Sequence, residues 1–415
     1  MRILVLYSGD LVPRSQIAPG GVNGNLRSYL GGLPASWAVE MWGIAQRGAP
    51  IGEAGSHDIP LGSRSIRLKP IVRAGPAKDR RVPISPVYAA ALVREVLRGR
   101  LDASRWDAVI VHRAEFLAAA THARPWGTLP PALLMLHSHS GHAFDRRRLK
   151  GRASLLGERL AVRAAAAIAV VSAASLEYYR SAYPAQAGKF HWVPNGVEPA
   201  RFATGDRPGW RQRHGFGPDD RVLVYHGRYD REKGINRMLQ TFRQLLDDGA
   251  PWHLVTAGVG PLELEIAAAA RGWGQGRIHD VGHLAPAEIP DLLHAADLGI
   301  LCSDFEGLSN SLLEALASGL PVVATDAGDN RLVLDRVAPG LVAHAAPGEL
   351  AAAVRRAWDE RRELGSRSRQ AAADFSQERR IERLTRMITS VAAGERYVGG
   401  EVSGPEPVTP GGAGR

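Results

Sequence analysis

The chain has 415 residues, enough for two or three domains with a sizeable core, and its 45% hydrophobic and 23% charged residues describe a globular protein. Its one cysteine, Cys302, excludes an intramolecular disulfide, and the apolar run DLGILCS around it predicts a buried structural thiol in a reducing compartment. The net charge of +10 is uneven: residues 1–195 hold 26 Lys+Arg against 12 Asp+Glu, and residues 196–415 hold 26 against 30, so the first half is suited to face something anionic.

The N-terminal run MRILVLYSG is too short for a signal peptide and reads as a first strand. Further along, WAVEMWGI, SIRLKPI, DAVIVHR, ALLMLHS, AIAVVS and FHWVPNG read as strands, with helices at VYAAALVREVLRG and SLLGERLAVRAAAA. The apolar runs are continuous and do not alternate, which predicts strands covered on both faces of a parallel sheet. AAAAIAVVSAA (164–174) is too short to cross about 20 residues of hydrocarbon. Pro, Gly and Asp accumulate around 193–209, and then the pattern restarts with RVLVYHG, HLVTAG, RIHDVG, LGILCS, PVVATD and GLVAH. Two successive doubly wound α/β domains are expected, at 1–193 and 209–375, joined by a linker at 194–208. An amphipathic helix at 376–394 and a Gly/Pro-rich disordered tail at 395–415 complete the expectation.

In the second half, DFEGLSNSLLEALASGLPVVATD (304–326) follows a strand end, where ligands of open α/β sheets bind. Gly307 permits close backbone approach, and Ser309 or Asn310 can cap a helix running to Ser318. Such a helix start suits an anion. The flanking Glu306 and Glu314 suit the hydroxyls of a ligand whose middle is anionic; capping and solvated carboxylates are the plainer alternative. YHGRYDREKGINRML (225–239) places Arg228 and Lys233 in a strand-end loop before a helix, an arrangement fit for a diphosphate. Lys233 is the sole lysine of residues 196–415, against 47 arginines in the chain, which points to a compact charge. Near the start, Gly20, Gly21 and Gly24 lie between the first strand and a helix, where amides can approach phosphates. His137, His139 and His142 end the ALLMLHS strand. A metal reading of this trio is disfavoured, since no carboxylate or cysteine lies nearby in sequence except Asp145. A metal-held diphosphate is not expected either: no Asp-x-Asp occurs anywhere, and Arg228 and Lys233 can replace the metal's charge.

Together these motifs resemble the retaining glycosyltransferases of family 4, which have the GT-B fold. EGLSNSLLE followed by ALASGLPVVATD is similar to that family's E-x7-E segment. HGRYDREKG resembles its Arg/Lys diphosphate loop, AIAVVSAASLEYY with KFHWVPNGVEPARF its interdomain run, LLMLHS its strand ending in histidine, and PGGVNGN its glycine loop. The likeness spans roughly residues 1–390. It implies two Rossmann-like domains facing a cleft, a final helix crossing back to the N-terminal domain, and a UDP- or GDP-sugar donor used without metal or other cofactor. By matching motif, Glu306 accepts donor-sugar hydroxyls, the amides of Gly307, Leu308 and Ser309 line that sugar, and Asn310 is a further substrate-binding candidate. Glu314 holds the ribose, Arg228 and Lys233 stabilise the leaving diphosphate, Gly21 approaches it, and His137 lies beside the reaction centre. The base is expected near Gly282 and His283. The sequence departs from the family at AGDNRLVLD (327–335), leaving Asp329 and Asn330 without a role, and at Asn23 and Asn25 in the glycine loop. The implied function is transfer of a sugar to a glycan or lipid-linked acceptor in polysaccharide or glycoconjugate synthesis; the alternatives are a small-molecule acceptor or sugar-nucleotide epimerisation.

In 145–163, Arg148, Arg152, Arg159 and Arg163 share a helical face, with Leu149, Leu156 and Leu160 one position round. This basic amphipathic helix is suited to an anionic membrane surface, which would make a cytoplasmic protein peripheral on the inner face. An ordinary solvated helix packed by its leucines is the competing reading. The sequence pI of 10.1 also raises nucleic-acid binding, but no aromatic-interleaved basic patch or recognition module supports it.

Overall fold

The computed structural model describes residues 1–8, 21–46, 57–61, 64–74, 84–123, 129–137 and 149–399. The chain divides into two compact units, one built from residues up to 194 together with those from Arg380 onward, the other from Asn195 to Arg379. Both are α/β, as the continuous apolar runs predict.

The first unit holds an eight-stranded sheet. In chain order its strands are β1 (Arg2–Leu6), β2 (Ala38–Gln46), β3 (His57–Leu61), β4 (Arg64–Ala74), β5 (Ala108–Val111), β6 (Ala132–Leu136), β7 (Ala167–Val170) and β8 (Phe190–Trp192). They lie in the order β3-β4-β2-β1-β5-β6-β7-β8. All pairs are parallel except β3 with β4. Successive residues of β1 point to opposite faces: Leu4 and Leu6 enter one buried cluster, Ile3 and Val5 the other. The second cluster is closed by Leu26, Tyr29 and Leu30 of the helix Gly21–Gly32 and by Leu384, Met387, Ile388 and Val391 of the helix Gln377–Ala392. The spacing of that last quartet, i, i+3, i+4, i+7, is the apolar seam of a helix docked along one face.

The second unit holds a six-stranded, all-parallel sheet: β9 (Arg221–His226), β10 (Trp252–Ala257), β11 (Ile278–Gly282), β12 (Leu298–Leu301), β13 (Val322–Thr325) and β14 (Val342–Ala343). The order is β11-β10-β9-β12-β13-β14. The chain starts at the centre, moves outward, then returns to the other side of β9. The switch point therefore lies between the carboxyl ends of β9 and β12, where open α/β sheets bind ligands.

Three elements are not legible from apolar runs. β3 reads HDIPL, whose Asp and Pro signal a turn; it forms because it is an edge strand, where proline costs no central ladder bond. The helix Ala114–Ala123 lies between β5 and β6, and the helix Pro347–Ala373 runs for 27 residues from a proline in its first turn. The 194–208 segment contains the short helix Pro199–Phe202 and the start of Arg207–Arg213. Its Arg207 guanidinium donates to the carbonyls of His294, Ala295 and Ala296 and to Asp297. The start of the expected tail is not free of the core either: the Tyr397 ring meets His191 edge-on at 4.8 Å. The remainder of that tail, from residue 400, lies outside the described residues. No described helix is long and apolar enough to cross a membrane.

Candidate active site

The loop after β9 and the loop after β12 meet at the switch point of the second unit. Gly234 makes the meeting possible. It sits at φ 66°, and a Cβ there would lie 1.9 Å from the Cys302 carbonyl oxygen. Only glycine accepts both the left-handed backbone and that approach. Asp230 closes the turn by accepting from the Lys233 amide at 3.0 Å, and the helix Ile235–Leu246 starts directly after. That helix buries Ile235, Met238, Leu239, Phe242 and Leu245, which fixes its rotation and so the direction of the loop before it. Arg237 ties the two loops from below, donating to the Cys302 carbonyl at 2.6 Å and to Asp304 at 2.5 Å. Cys302 itself is fully buried, and burial pushes its thiol up to about 12. It is therefore inert packing, as its surroundings in the sequence predict.

This arrangement brings two sequence-predicted residues into contact. Lys233 Nζ donates to Glu306 Oε1 at 2.8 Å, and the Ser303 hydroxyl donates to the same oxygen at 2.7 Å. Glu306 is 8% exposed. This buried carboxylate is compensated at Oε1 by a cation and a hydroxyl. Arg228 is exposed and pairs with Asp230 at 2.9 Å.

The helix Asn310–Ala317 begins immediately beyond. Of the two candidate caps the structure selects Ser309, whose hydroxyl accepts from the Leu312 amide. Its positive end therefore opens next to Glu306, Gly307 and Leu308. Glu314 lies one turn into this helix, its carboxylate 3.1 Å from His226 Nε2. His226 ends β9, is buried, and was missed by sequence reasoning; a histidine closing a strand was the available signal.

Asp329 and Asn330, the departure from the family pattern, are buried supports for the same loop. The Asp329 amide donates to the Gly307 carbonyl at 2.9 Å, and the Asn330 side chain donates to the Thr325 carbonyl at 3.1 Å. Gly328, at φ 56°, packs on the Glu306 and Gly307 carbonyls. Asn195, another residue that sequence reasoning passed over, donates to the Leu308 carbonyl at 2.9 Å. Gly282, at φ 65°, ends β11, followed by exposed His283, at the same carboxyl edge but two strands from β9.

Gly21 and His137 belong to the first unit. Gly21 is the first residue of a helix and not part of an open loop; Gly20 lies outside the described residues. His137 follows β6 directly. It is joined to His112, at the end of β5, by a contact of 3.0 Å between His112 Nδ1 and His137 Nε2. Tyr29 completes the row, its hydroxyl 2.7 Å from His112 Nε2. Burial, reinforced by the Arg380 charge, pushes His137 down to about 4, and burial with His137 and Arg380 holds His112 well below the usual histidine range. His139 and His142 lie outside the described residues. Among the described residues no cluster of three or more His, Cys, Asp or Glu side chains could hold a metal ion.

A cleft of about 790 Å³ also opens in the second unit, but at the amino ends of its strands, around Arg207, Arg221, Asp297 and Trp358. Several of its charges are engaged: Arg207 with Asp297, and Arg221 and Arg361 in separate contacts with the Trp358 ring. The chemistry converges at the other end of the sheet.

Two family models match. One, described as Glycosyltransferase Family 4, covers residues 45–201, and the other, described as Glycosyl transferases group 1, covers residues 220–360. A D-inositol 3-phosphate glycosyltransferase of Geodermatophilus obscurus is 31% identical over 310 residues. The chain belongs to glycosyltransferase family 4. That alignment takes in 71% of this family 4 chain and 64% of the relative. Among solved structures, Anabaena HepE in complex with UDP superposes with a TM-score of 0.69 at 18% identity, covering 94% of this chain and 100% of that one. Sucrose-phosphate synthase from Thermosynechococcus elongatus gives 0.75 at 18% identity, covering 95% and 100%. These neighbours share the GT-B fold.

Proposed function

We propose that this family 4 member is a retaining, metal-independent glycosyltransferase that moves a sugar from a nucleotide-diphospho-sugar to an acceptor hydroxyl. The observation that carries the reading is the Lys233–Glu306 contact of 2.8 Å beside the capped start of the helix Asn310–Ala317. A diphosphate at this point meets the ammonium of Lys233, the Arg228 guanidinium and a helix dipole. The same three stabilise the charge that grows on it as the sugar departs. Glu306 Oε2 then accepts donor-sugar hydroxyls, while the amides of Gly307, Leu308, Ser309 and Asn310 line the sugar and phosphates. Glu314, oriented by His226, takes the ribose hydroxyls. Gly282 and His283 border the base, uridine or guanosine; the UDP in the HepE complex favours uridine. For Gly21 and His137 the motif likeness assigns a phosphate-facing amide and a ring beside a reacting sugar. Retention fits same-face attack in which the leaving phosphate takes the acceptor's proton, for which no further carboxylate is needed.

The test is nucleoside diphosphate release from UDP- and GDP-sugars, with and without EDTA, across an acceptor panel. EDTA-insensitive release that depends on an acceptor is expected. Release without any acceptor would instead indicate donor hydrolysis, and an isomerised donor epimerisation; EDTA-sensitive release would remove the metal-independent part.

Two acceptor readings remain. A small polyol phosphate is favoured by the inositol 3-phosphate relative. A glycan or lipid-linked acceptor is favoured by the helix Leu149–Ala164, where Arg152, Arg159 and Arg163 are exposed and Leu156 is 59% exposed among them. Arg148 lies outside the described residues. A solvated helix would bury that leucine; an anionic bilayer surface would receive it. Salt-sensitive sedimentation with anionic vesicles, reduced by Arg152→Glu, is expected on the second reading and absent on the first.

A further inference from the structure

The row Tyr29–His112–His137 has a direction, and it is set at its buried end. Tyr29 is 0% exposed and its hydroxyl meets His112 Nε2 at 2.7 Å. The Arg380 guanidinium lies over the Tyr29 ring at 5.6 Å and is itself 2% exposed. All three of its nitrogens are buried without a hydrogen-bond partner among the described residues. An arginine offers donors only, so it gives the Tyr29 proton no acceptor. Were His112 to carry its proton on Nε2, the Tyr29 hydroxyl proton would be buried and unpaired, which is the costly arrangement. Tyr29 therefore donates to His112 Nε2. A neutral His112 then carries its proton on Nδ1 and donates it across 3.0 Å to His137 Nε2. A neutral His137 is left with one place for its own proton, Nδ1.

We propose that Tyr29, His112 and Arg380 are positioning residues that fix His137 in the Nδ1–H tautomer, making it a hydrogen-bond donor to substrate and not a base. Both rings stay neutral because His112 is buried and His137 half-buried, because the Arg380 charge faces them, and because no described carboxylate offsets that charge in their hydrogen-bond row. The remaining neighbour is Tyr7, edge-on to His112 at 5.4 Å, which stays protonated: burial, opposed by Arg113, pushes it up to about 12. A neutral donor suits a sugar hydroxyl and leaves proton removal to the departing phosphate. That last point rests on the transferase reading above; the tautomer does not.

The test uses the full chain labelled with ¹⁵N-histidine, its His137 resonances assigned by their loss in His137→Gln. Long-range imidazole spectra at neutral pH are expected to show protonated Nδ1 and unprotonated Nε2 on His137. Tyr29→Phe is expected to mix the tautomers of both rings, and Arg380→Met to raise the pH at which His137 becomes imidazolium. An Nε2–H tautomer in the wild-type spectrum overturns the proposal even if neither variant folds, and so does a tautomer ratio that Tyr29→Phe leaves unchanged. In turnover assays Tyr29→Phe is expected to lower kcat about tenfold with donor KM little changed. Expected spectra with wild-type turnover would uphold the tautomer and refute the role of His137 in the reaction.

Discussion

The two units present functional groups from the same place, the carboxyl ends of parallel strands, but by opposite electrostatics. The second unit assembles charges. Lys233, Glu306, Arg228 and Asp230 pair with one another on loops pinned by glycine contacts at 234 and 328. The first unit, although it carries the basic excess, gathers neutral rings: buried His112 and half-buried His137 stacked at 5.3 Å, with Tyr7 and Tyr29 around them. A leaving diphosphate needs fixed opposing charge, which only a rigid loop can hold without reorganising. A hydroxyl needs a donor or acceptor of known direction, which a mostly buried row of rings supplies.

Removing the central charge of the second unit should have the largest effect. Lys233→Ala is expected to lower turnover by about 10²–10³ with donor affinity falling much less, since the charge matters most in the transition state. Steady-state kinetics with a donor titration check this, and wild-type turnover would leave the ion-paired site without a catalytic role. Breaking the loop contact comes next. Gly234→Ala should cost about 2–4 kcal/mol of stability, because it combines a left-handed backbone with a Cβ driven into the Cys302 carbonyl. Thermal denaturation decides it; a midpoint within a degree of wild type would mean the loops can part cheaply. Glu314→Ala is expected to weaken donor binding about tenfold at nearly constant kcat, measured by calorimetry with the nucleotide. An unaltered dissociation constant would make Glu314 simple helix decoration held by His226.

The smallest effect sharpens the contrast from the first unit. His112 and His137 titrate below their ordinary value of ~6.5, at about 4 for His137. As pH falls the unfolded chain takes up these protons first. Their contribution to stability is thus complete above about pH 6.5 and is lost as pH falls towards 4. Melting curves of wild type and the His112→Gln/His137→Gln double variant should converge over this window. Parallel curves would show that the histidines do not couple to folding.

Much of this architecture is legible in the amino-acid sequence. The strands built on continuous apolar runs stand out in it, and Lys233, Glu306 and a cap at Ser309 or Asn310 follow from where those strands end. β3 is hidden by its proline, and the helix Pro347–Ala373 by its lack of a clean apolar period. Glu306 and Lys233 can be named as candidates, but not as a pair. Asn195, Tyr29 and Arg380 leave almost no local signal, and His226 and His112 only that of a histidine at a strand end.

Sequence alone determined the two α/β units and the chemistry offered at their strand ends, because periodicity and turn residues act within a few positions of one another. Tertiary structure alone decided which of those groups touch. Lys233 reaches Glu306 across 73 positions, His226 reaches Glu314 across 88, and Tyr29 reaches His112 across 83. Such contacts depend on strand order and on whether two backbones can come close enough to meet, and neither is written in the spacing of residues along the chain.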